Sequence, residues 1–303
     1  MPLTLAVLVT TYRREEYLRR CLEGLVNQSV APDEIVVVVR DSDRASRAVA
    51  GKTAARIPLR ILEVSDPGVI AANNRALPEI RADIVSFIDD DAVPEARWVE
   101  KIRGRFGEDP GLGALGGRDR LVDPAMREET ERPARSVGRV RWYGRIVGNH
   151  HRRFDGAAPA ETLKGCNMSF RRGLIDLCDS GLRGTGVFYE TDLCFQVASR
   201  GYRILFDGSL VVDHHVQAPS FLDGRARAAN DPERAYNESF NRARVLARNV
   251  RGPRGLVVRA YAGAVAPALS IGRFLRRGFE RPLASWAAAF RGGVDGLRSA
   301  GKR

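Results

Sequence analysis

Ile84-Val85-Ser86-Phe87-Ile88-Asp89-Asp90-Asp91-Ala92-Val93-Pro94 is the stretch from which the rest of the chain is read. Its first five residues form an apolar run, broken only by Ser86, of the length of a short buried strand. That strand delivers three consecutive carboxylates to its C-terminal end. In open α/β sheets this is the end at which ligands bind. Crowded carboxylates repel one another unless a cation sits among them. The expected occupant is a hard divalent ion, Mg²⁺ or Mn²⁺, carrying substrate phosphates. An acidic turn closing a strand would read the same in isolation, so the surrounding chain has to decide.

Outward from this stretch, strands alternate with helices. Leu5–Val9, Glu34–Val39 and Ile57–Val64 read as strands. Glu15–Asn27 reads as a helix, with Tyr17, Leu18, Cys21, Leu22 and Leu25 on one face, and Ile70–Ile80 reads as another. Such alternation implies βαβ units, a mostly parallel sheet and right-handed crossovers. Further on, Trp98–Phe106 is helical, Leu112–Gly117 is a strand, and 118–160 reads as a long polar loop near the site. Asn167–Phe170 is a strand and Glu190–Ser199 a helix, and Tyr202–Phe206 and Leu210–Val212 are two more strands. The tail carries a helix over Ala235–Val250, an apolar segment Leu256–Arg277 interrupted by Pro267, and a short apolar piece Leu283–Phe290.

Charge divides the 303 residues unevenly. Residues 225–303 hold 17 Lys+Arg against 5 Asp+Glu, which is the whole net charge of +12. Residues 1–224 are therefore neutral and read as the catalytic domain, and residues 225–303 read as a basic helical extension. The extension fits either amphipathic helices on an anionic membrane surface or a helical cap with a solvated arginine face. It contains no aromatic-interleaved basic patch, so nucleic acid is not an expected partner. The four cysteines, Cys21, Cys166, Cys178 and Cys194, show no metal-ligand spacing and read as reduced thiols of a cytosolic protein. The apolar start, Leu3–Val9, has no basic segment before it and no small-residue cleavage site after it, so it reads as the first strand and not as a leader.

Several polar clusters sit where strands end. They are Thr10-Thr11-Tyr12-Arg13, Asp41 after the second strand, Asp89-Asp90-Asp91, Gly165-Cys166-Asn167-Met168-Ser169-Phe170-Arg171-Arg172, Tyr189-Glu190-Thr191-Asp192-Leu193 and Val211-Val212-Asp213-His214-His215. In that order, over about residues 3–250, they resemble glycosyltransferase family 2. The resemblance implies a GT-A type α/β fold: a Rossmann-like, mostly parallel sheet flanked by helices, with a C-terminal helical extension. It implies an inverting transfer of a hexosyl or deoxyhexosyl unit from a nucleoside diphosphate sugar donor to a saccharide or lipid-linked acceptor.

The resemblance also distributes roles. Asp89 and Asp91 match a metal-binding Asp-x-Asp, with Asp90 between them reaching the ribose. His214 resembles a histidine that completes the metal site in some members, and His215 is the alternative. Glu190 falls on the position of the general base, where many members have Asp, and Asp192 belongs to the same motif or complements the helix N-terminus. Thr10, Tyr12, Arg13 and Asp41 line the nucleotide pocket. Gly68–Arg75 matches a segment that usually reads Ala-Arg-Asn, which puts Asn74 at the donor while Asn73 replaces the basic residue. The expected setting is assembly of cell-surface polysaccharide or a glycolipid, on the cytoplasmic side, peripheral at the inner face of the membrane. The rivals are a nucleotidyltransferase of related fold, whose glycine- and lysine-bearing loop is missing here, and a catalytically silent binding protein recruited to membranes.

Overall fold

The computed structural model describes residues 3–122, 127–215, 232–276 and 281–301. They fall into two compact units: Met1–Arg139, Gly148–Cys178 and Leu193–Gln217 form the first, and Val140–Val147, Asp179–Asp192 and Ala218–Arg303 the second.

The first unit is built on a twisted sheet. β1 (Leu5–Thr11), β2 (Glu34–Arg40), β3 (Leu59–Val64) and β4 (Ile84–Asp89) run parallel in the order β3-β2-β1-β4. The interiors of β1, β2 and β4 are buried, mostly apolar runs because both faces are covered, whereas the edge strand β3 is half-buried and carries Arg60 and Glu63. α1 (Glu15–Val26) turns Leu18, Cys21, Leu22 and Leu25 onto this sheet. α2 (Arg44–Thr53) is an element the hydrophobic pattern does not predict. Its start is a capping interaction, since Asp43 accepts from the Ser46 amide at 3.1 Å. α3 (Val69–Ala76) follows β3 and gives way to a 3₁₀ turn at Leu77–Glu79, a turn earlier than the expected helix end.

Past β4 the chain reverses through Asp90-Asp91 into β5 (Ala92–Pro94), then α4 (Trp98–Glu108) and β6 (Leu112–Leu121). The expected strand at 112–117 runs four residues longer. The 118–160 segment is not a featureless loop: it holds α5 (Arg127–Glu131), β7 (Arg139–Val140), β8 (Ile146–Val147) and β9 (Ala157–Pro159). β10 (Met168–Arg171) inserts antiparallel between β4 and β6. After α6 (Tyr189–Ser199), β11 (Arg203–His214) lies parallel to β6 and carries β5 and β9 antiparallel. The two strands expected at 202–206 and 210–212 are this one strand, with a register shift between Asp207 and Val211. The irregularity crowds the neighbouring backbone: a Cβ at Gly117 would collide with the Leu210 carbonyl.

The second unit is helical. α7 (Pro232–Asn249) leads to α8 (Gly252–Ala260), a π turn at Tyr261–Val265, and α9 (Ala266–Arg276). Pro267 does not interrupt the helix as expected. α8, the π turn and α9 run on without a break, and Pro267 falls directly after the π turn, the kind of local widening that accommodates a gap in the i→i−4 ladder. α10 (Pro282–Ser299) is far longer than the short piece 283–290. Gly292 and Gly296 bring α10 against α7. A side chain at either would strike the Tyr236 or Phe240 carbonyl.

Candidate active site

Strand pairing assembles the acidic site. The turn from β4 to β5 holds Asp90 and Asp91, and β5 pairs with the end of β11 so that Ala92 lies opposite His214. The His215 amide donates to the Asp91 carbonyl at 2.8 Å, which ties the backbones together. His214 is the histidine that turns inward: it is buried, and its Nε2 stands 3.3 Å from Asp91 Oδ1. Asp89, Asp91 and His214 each offer a ligand atom, all within 4.8 Å of one another. Asp91 Oδ1 and His214 Nδ1 are buried without a hydrogen-bond partner. Unsatisfied polar atoms of this kind fit a site that a cation completes.

Arg14 supplies a positive charge in the same place. Its guanidinium reaches Asp90 Oδ1 at 2.9 Å and Asp91 Oδ2 at 2.5 Å, and it lies over the Tyr17 ring. Thr11 donates its hydroxyl to Asp90 Oδ2 at 2.7 Å. Burial nonetheless pushes the Asp90 carboxyl up to about 7, against the pull of Arg14. Burial works on Asp91 in the same direction, but His214 and Arg14 outweigh it and hold Asp91 at about 2.

Behind His214 lies a second buried group. Asp119 of β6 is fully buried, with Oδ2 3.5 Å from His214 Nδ1, and Lys164 forms an ion pair with it. Burial would raise Asp119, yet His214 and Lys164 bring it down to about 2. Burial would lower His214, but Cys166, Asp119 and Asp91 together push it up to about 12. Asp119, Cys166 and His214 also lie with their ligand atoms within 4.8 Å of one another. Sequence reasoning missed Arg14, Asp119 and Lys164. Lys164 and Cys166 stand just ahead of the Asn-Met-Ser-Phe motif, which was the one available signal.

The residues expected on the nucleotide side lie mostly around the ends of β1 and β2. Thr10 pairs with Asp89 across β1 and β4. Arg13 adopts φ 53, and its amide donates to Asp43 Oδ2 at 2.5 Å. Asp43 therefore fixes both this loop and α2, a role the sequence did not reveal. The Arg13 and Arg40 guanidinium groups approach the Tyr12 ring at 5.0 and 5.3 Å. Asp41 is exposed at the end of β2, and its amide donates to the Val64 carbonyl at 3.2 Å. Asn74 has its side-chain amide engaged with the Cys178 backbone: Nδ2 donates at 3.0 Å and Oδ1 accepts at 2.8 Å. Its neighbour Asn73 is buried with Nδ2 unpartnered. A crevice of about 520 Å³ in the first unit is lined by Arg132, Pro133, Arg135, Ser136, Asn149 and Arg152, with no carboxylate among them.

Glu190 and Asp192 belong to the second unit, in the first turn of α6. The segment leading to them is pinned to α7. Arg244 is buried and grips Asp179 with two bonds, at 2.7 and 2.9 Å. Asn241 exchanges two hydrogen bonds with the Arg183 backbone, at 2.8 and 3.0 Å. Asp192 accepts from Asn249 Nδ2 at 3.0 Å. Phe188, two residues before Glu190, holds φ 78, a conformation a bulky residue adopts only when its surroundings enforce it.

The sequence profile described as Glycosyltransferase like family 2 matches residues 2–229. Among curated proteins, glycosyltransferase GlyA of Streptococcus pneumoniae serotype 4 is 35% identical over 106 residues, which are 34% of this chain and 15% of GlyA. The chain thus spans a small part of that relative. The glucosyl-dolichyl phosphate glucuronosyltransferase of Haloferax volcanii is 24% identical over 221 residues, 69% of this chain and 68% of that protein. Among solved structures, the mannosyltransferase PcManGT from Pyrobaculum calidifontis, in complex with GDP-Man and Mn²⁺, superposes with a TM-score of 0.60 at 19% identity, covering 99% of this chain and 87% of that one. At that identity the likeness shows the fold, which is GT-A.

Proposed function

The chain belongs to glycosyltransferase family 2, and on that premise we propose that it transfers a sugar from a nucleoside diphosphate donor to an acceptor hydroxyl in a single inverting displacement. The observation that carries this reading is the convergence of Asp89, Asp91 and buried His214 at the C-terminal end of β4, with Asp91 Oδ1 buried and without a hydrogen-bond partner. These three residues would hold Mg²⁺ or Mn²⁺. When bound there, the ion supplies Lewis-acid stabilisation to the departing nucleoside diphosphate. PcManGT, which shares the fold, holds Mn²⁺ and GDP-Man.

The chain's own residues do the rest. Thr10, Tyr12, Arg13 and Asp41 form the nucleotide side, and Asp90, between the two metal carboxylates, serves the ribose. Glu190 acts as general base, taking the proton from the attacking acceptor hydroxyl. Asp192, held by Asn249, steadies the turn from which Glu190 projects. The acceptor is a saccharide or a lipid-linked sugar, in polysaccharide or glycolipid assembly at the cytoplasmic membrane face. The arginine-lined crevice supports an acceptor that carries negative charge, as a lipid phosphate does.

Thermal melting of the protein with UDP-, dTDP-, GDP- and ADP-sugars, each with Mn²⁺ and with EDTA, tests the reading. A ligand bound only by the folded state raises the melting temperature by mass action. Stabilisation by one nucleotide class that disappears in EDTA is the expected result. A folded protein that no donor stabilises, with or without the ion, would overturn it.

A further inference from the structure

Among the described residues, eight of the eleven large apolar side chains that are exposed lie in the second unit. Scattered exposed leucines are ordinary, but contiguous ones mark an interaction surface. Here they are contiguous. From residue 256 to 269, along α8, the π turn and the start of α9, every exposed position is Leu, Val or Ala except Arg259. Leu256 is 69% exposed and Leu269 70%. The opposite face buries only small or medium residues, among them Val258, Ala262 and Ala266. The helix is therefore turned with its largest apolar groups outward. Leu275 at the end of α9 and Leu283 at the start of α10 are exposed as well.

The charge around this face selects the occupant. Residues 225–303 carry 17 basic residues against 5 acidic ones, and Arg251, Arg254, Arg259 and Arg281 lie beside the apolar positions in sequence. A second protein copy would bring the same positive charge to the contact, whereas an anionic lipid surface complements it. Among the described residues, no helix is long and apolar enough to cross a membrane, so this geometry suits helices lying in the interface.

We propose that the face formed by Leu256, Val257, Val265 and Leu269, with Leu275 and Leu283, docks the second unit onto the surface of an anionic lipid bilayer. The inference deepens the reading of a lipid-linked acceptor and in that respect rests on it: the unit that carries the apolar face also carries Glu190. An acceptor anchored in lipid would then meet the general base on the unit that grips the membrane.

Co-sedimentation of the full chain with vesicles tests this without donor, metal or turnover, so its outcome is separate from that of the transferase reading. Vesicles of phosphatidylcholine with phosphatidylglycerol should bind the protein, and vesicles of phosphatidylcholine alone should bind it much less. The double variant Leu256→Ser, Leu269→Ser should lose about tenfold or more in vesicle affinity. It should keep the parental melting temperature, since both side chains are exposed. Equal binding by variant and parent would overturn the proposal, as would a folded parent that ignores anionic vesicles. A parent that is dimeric in solution and becomes monomeric on the double substitution, without binding vesicles, would assign the face to a second copy.

Discussion

His214 Nδ1 lies 3.5 Å from Oδ2 of Asp119, a carboxylate that is wholly buried and also paired with Lys164. The imidazole thus has one nitrogen toward Asp91 and the other toward a carboxylate behind it, the arrangement that orients a metal-binding histidine.

A consequence for metal binding follows. Without an ion, the neighbouring Cys166, Asp119 and Asp91 push His214 up to about 12, so the ring is charged across the neutral range. A metal accepts only the neutral ring, so each ion bound releases a proton and affinity tightens as pH rises. Mn²⁺ titrations followed by electron paramagnetic resonance should show log K rising by about one per pH unit through neutral pH. Asp119→Asn removes a partner that favours the proton and should flatten this slope. It also frees the ring, which should weaken the high-pH plateau affinity by about 10–100-fold. A slope identical in variant and parent would count against the role of Asp119.

Asp90 predicts a stability effect of opposite sign to that of an aspartate held low by ion pairing, such as Asp91. In the unfolded chain its carboxyl ionises near the ordinary value of about 3.9. In the folded protein burial keeps the proton on up to about 7. Between those two values the folded state holds the extra proton, so stability falls as pH rises through that window and stays lowered above it. Asp90→Asn cannot ionise. In EDTA its melting temperature should match the parent at pH 4 and exceed it by about several degrees at pH 8. A difference independent of pH would mean that Asp90 is ionised throughout.

Glu190→Gln keeps the shape of the side chain and removes its basicity. Turnover should fall by about 10²–10⁴ while donor affinity by calorimetry stays unchanged. Glu190→Asp, which restores a carboxylate on a shorter arm, should recover part of the loss. Undiminished turnover in the glutamine variant would remove Glu190 from the mechanism.

Arg244 ties the segment ahead of α6 to α7 and the end of α10. It is buried, grips Asp179 and donates to the Ser299 carbonyl at 2.6 Å. Arg244→Leu removes both bonds of the fork and leaves Asp179 with Arg248 at 3.5 Å and the Gly181 amide, and should cost about 2–4 kcal/mol in denaturant unfolding. Arg244→Lys should recover little, because an ammonium cannot make the paired bonds. If lysine restores full stability, charge alone suffices there and the fork geometry is immaterial.

The part of the molecule legible in the sequence is the part written in local pattern. β1, β2 and β4 are apolar runs ending in polar clusters, and the acidic triplet follows the last of them directly. What stayed hidden depends on partners far along the chain. β6 continues through Arg118-Asp119-Arg120-Leu121, which reads as loop, because these residues pair with β11 and Arg118 meets Glu131 and Asp119 meets Lys164 once folded. The choice between His214 and His215 required the register of β5 on β11. The full length of α10 rests on Gly292 and Gly296, which lie beyond the apolar run 283–290 and make close contact with α7.

The thiol of Cys166 gives the site a vulnerability. Burial pushes it up to about 11, so it stays protonated and inert at neutral pH, and hard ions have little reason to engage it. A thiophilic ion would behave differently: with Cys166, Asp119 and His214 in reach, it can exchange the thiol proton for a sulfur bond and take the histidine away from Asp91. The protein should accordingly be poisoned by traces of Cd²⁺ or Hg²⁺ that excess Mn²⁺ does not reverse and that a competing dithiol does.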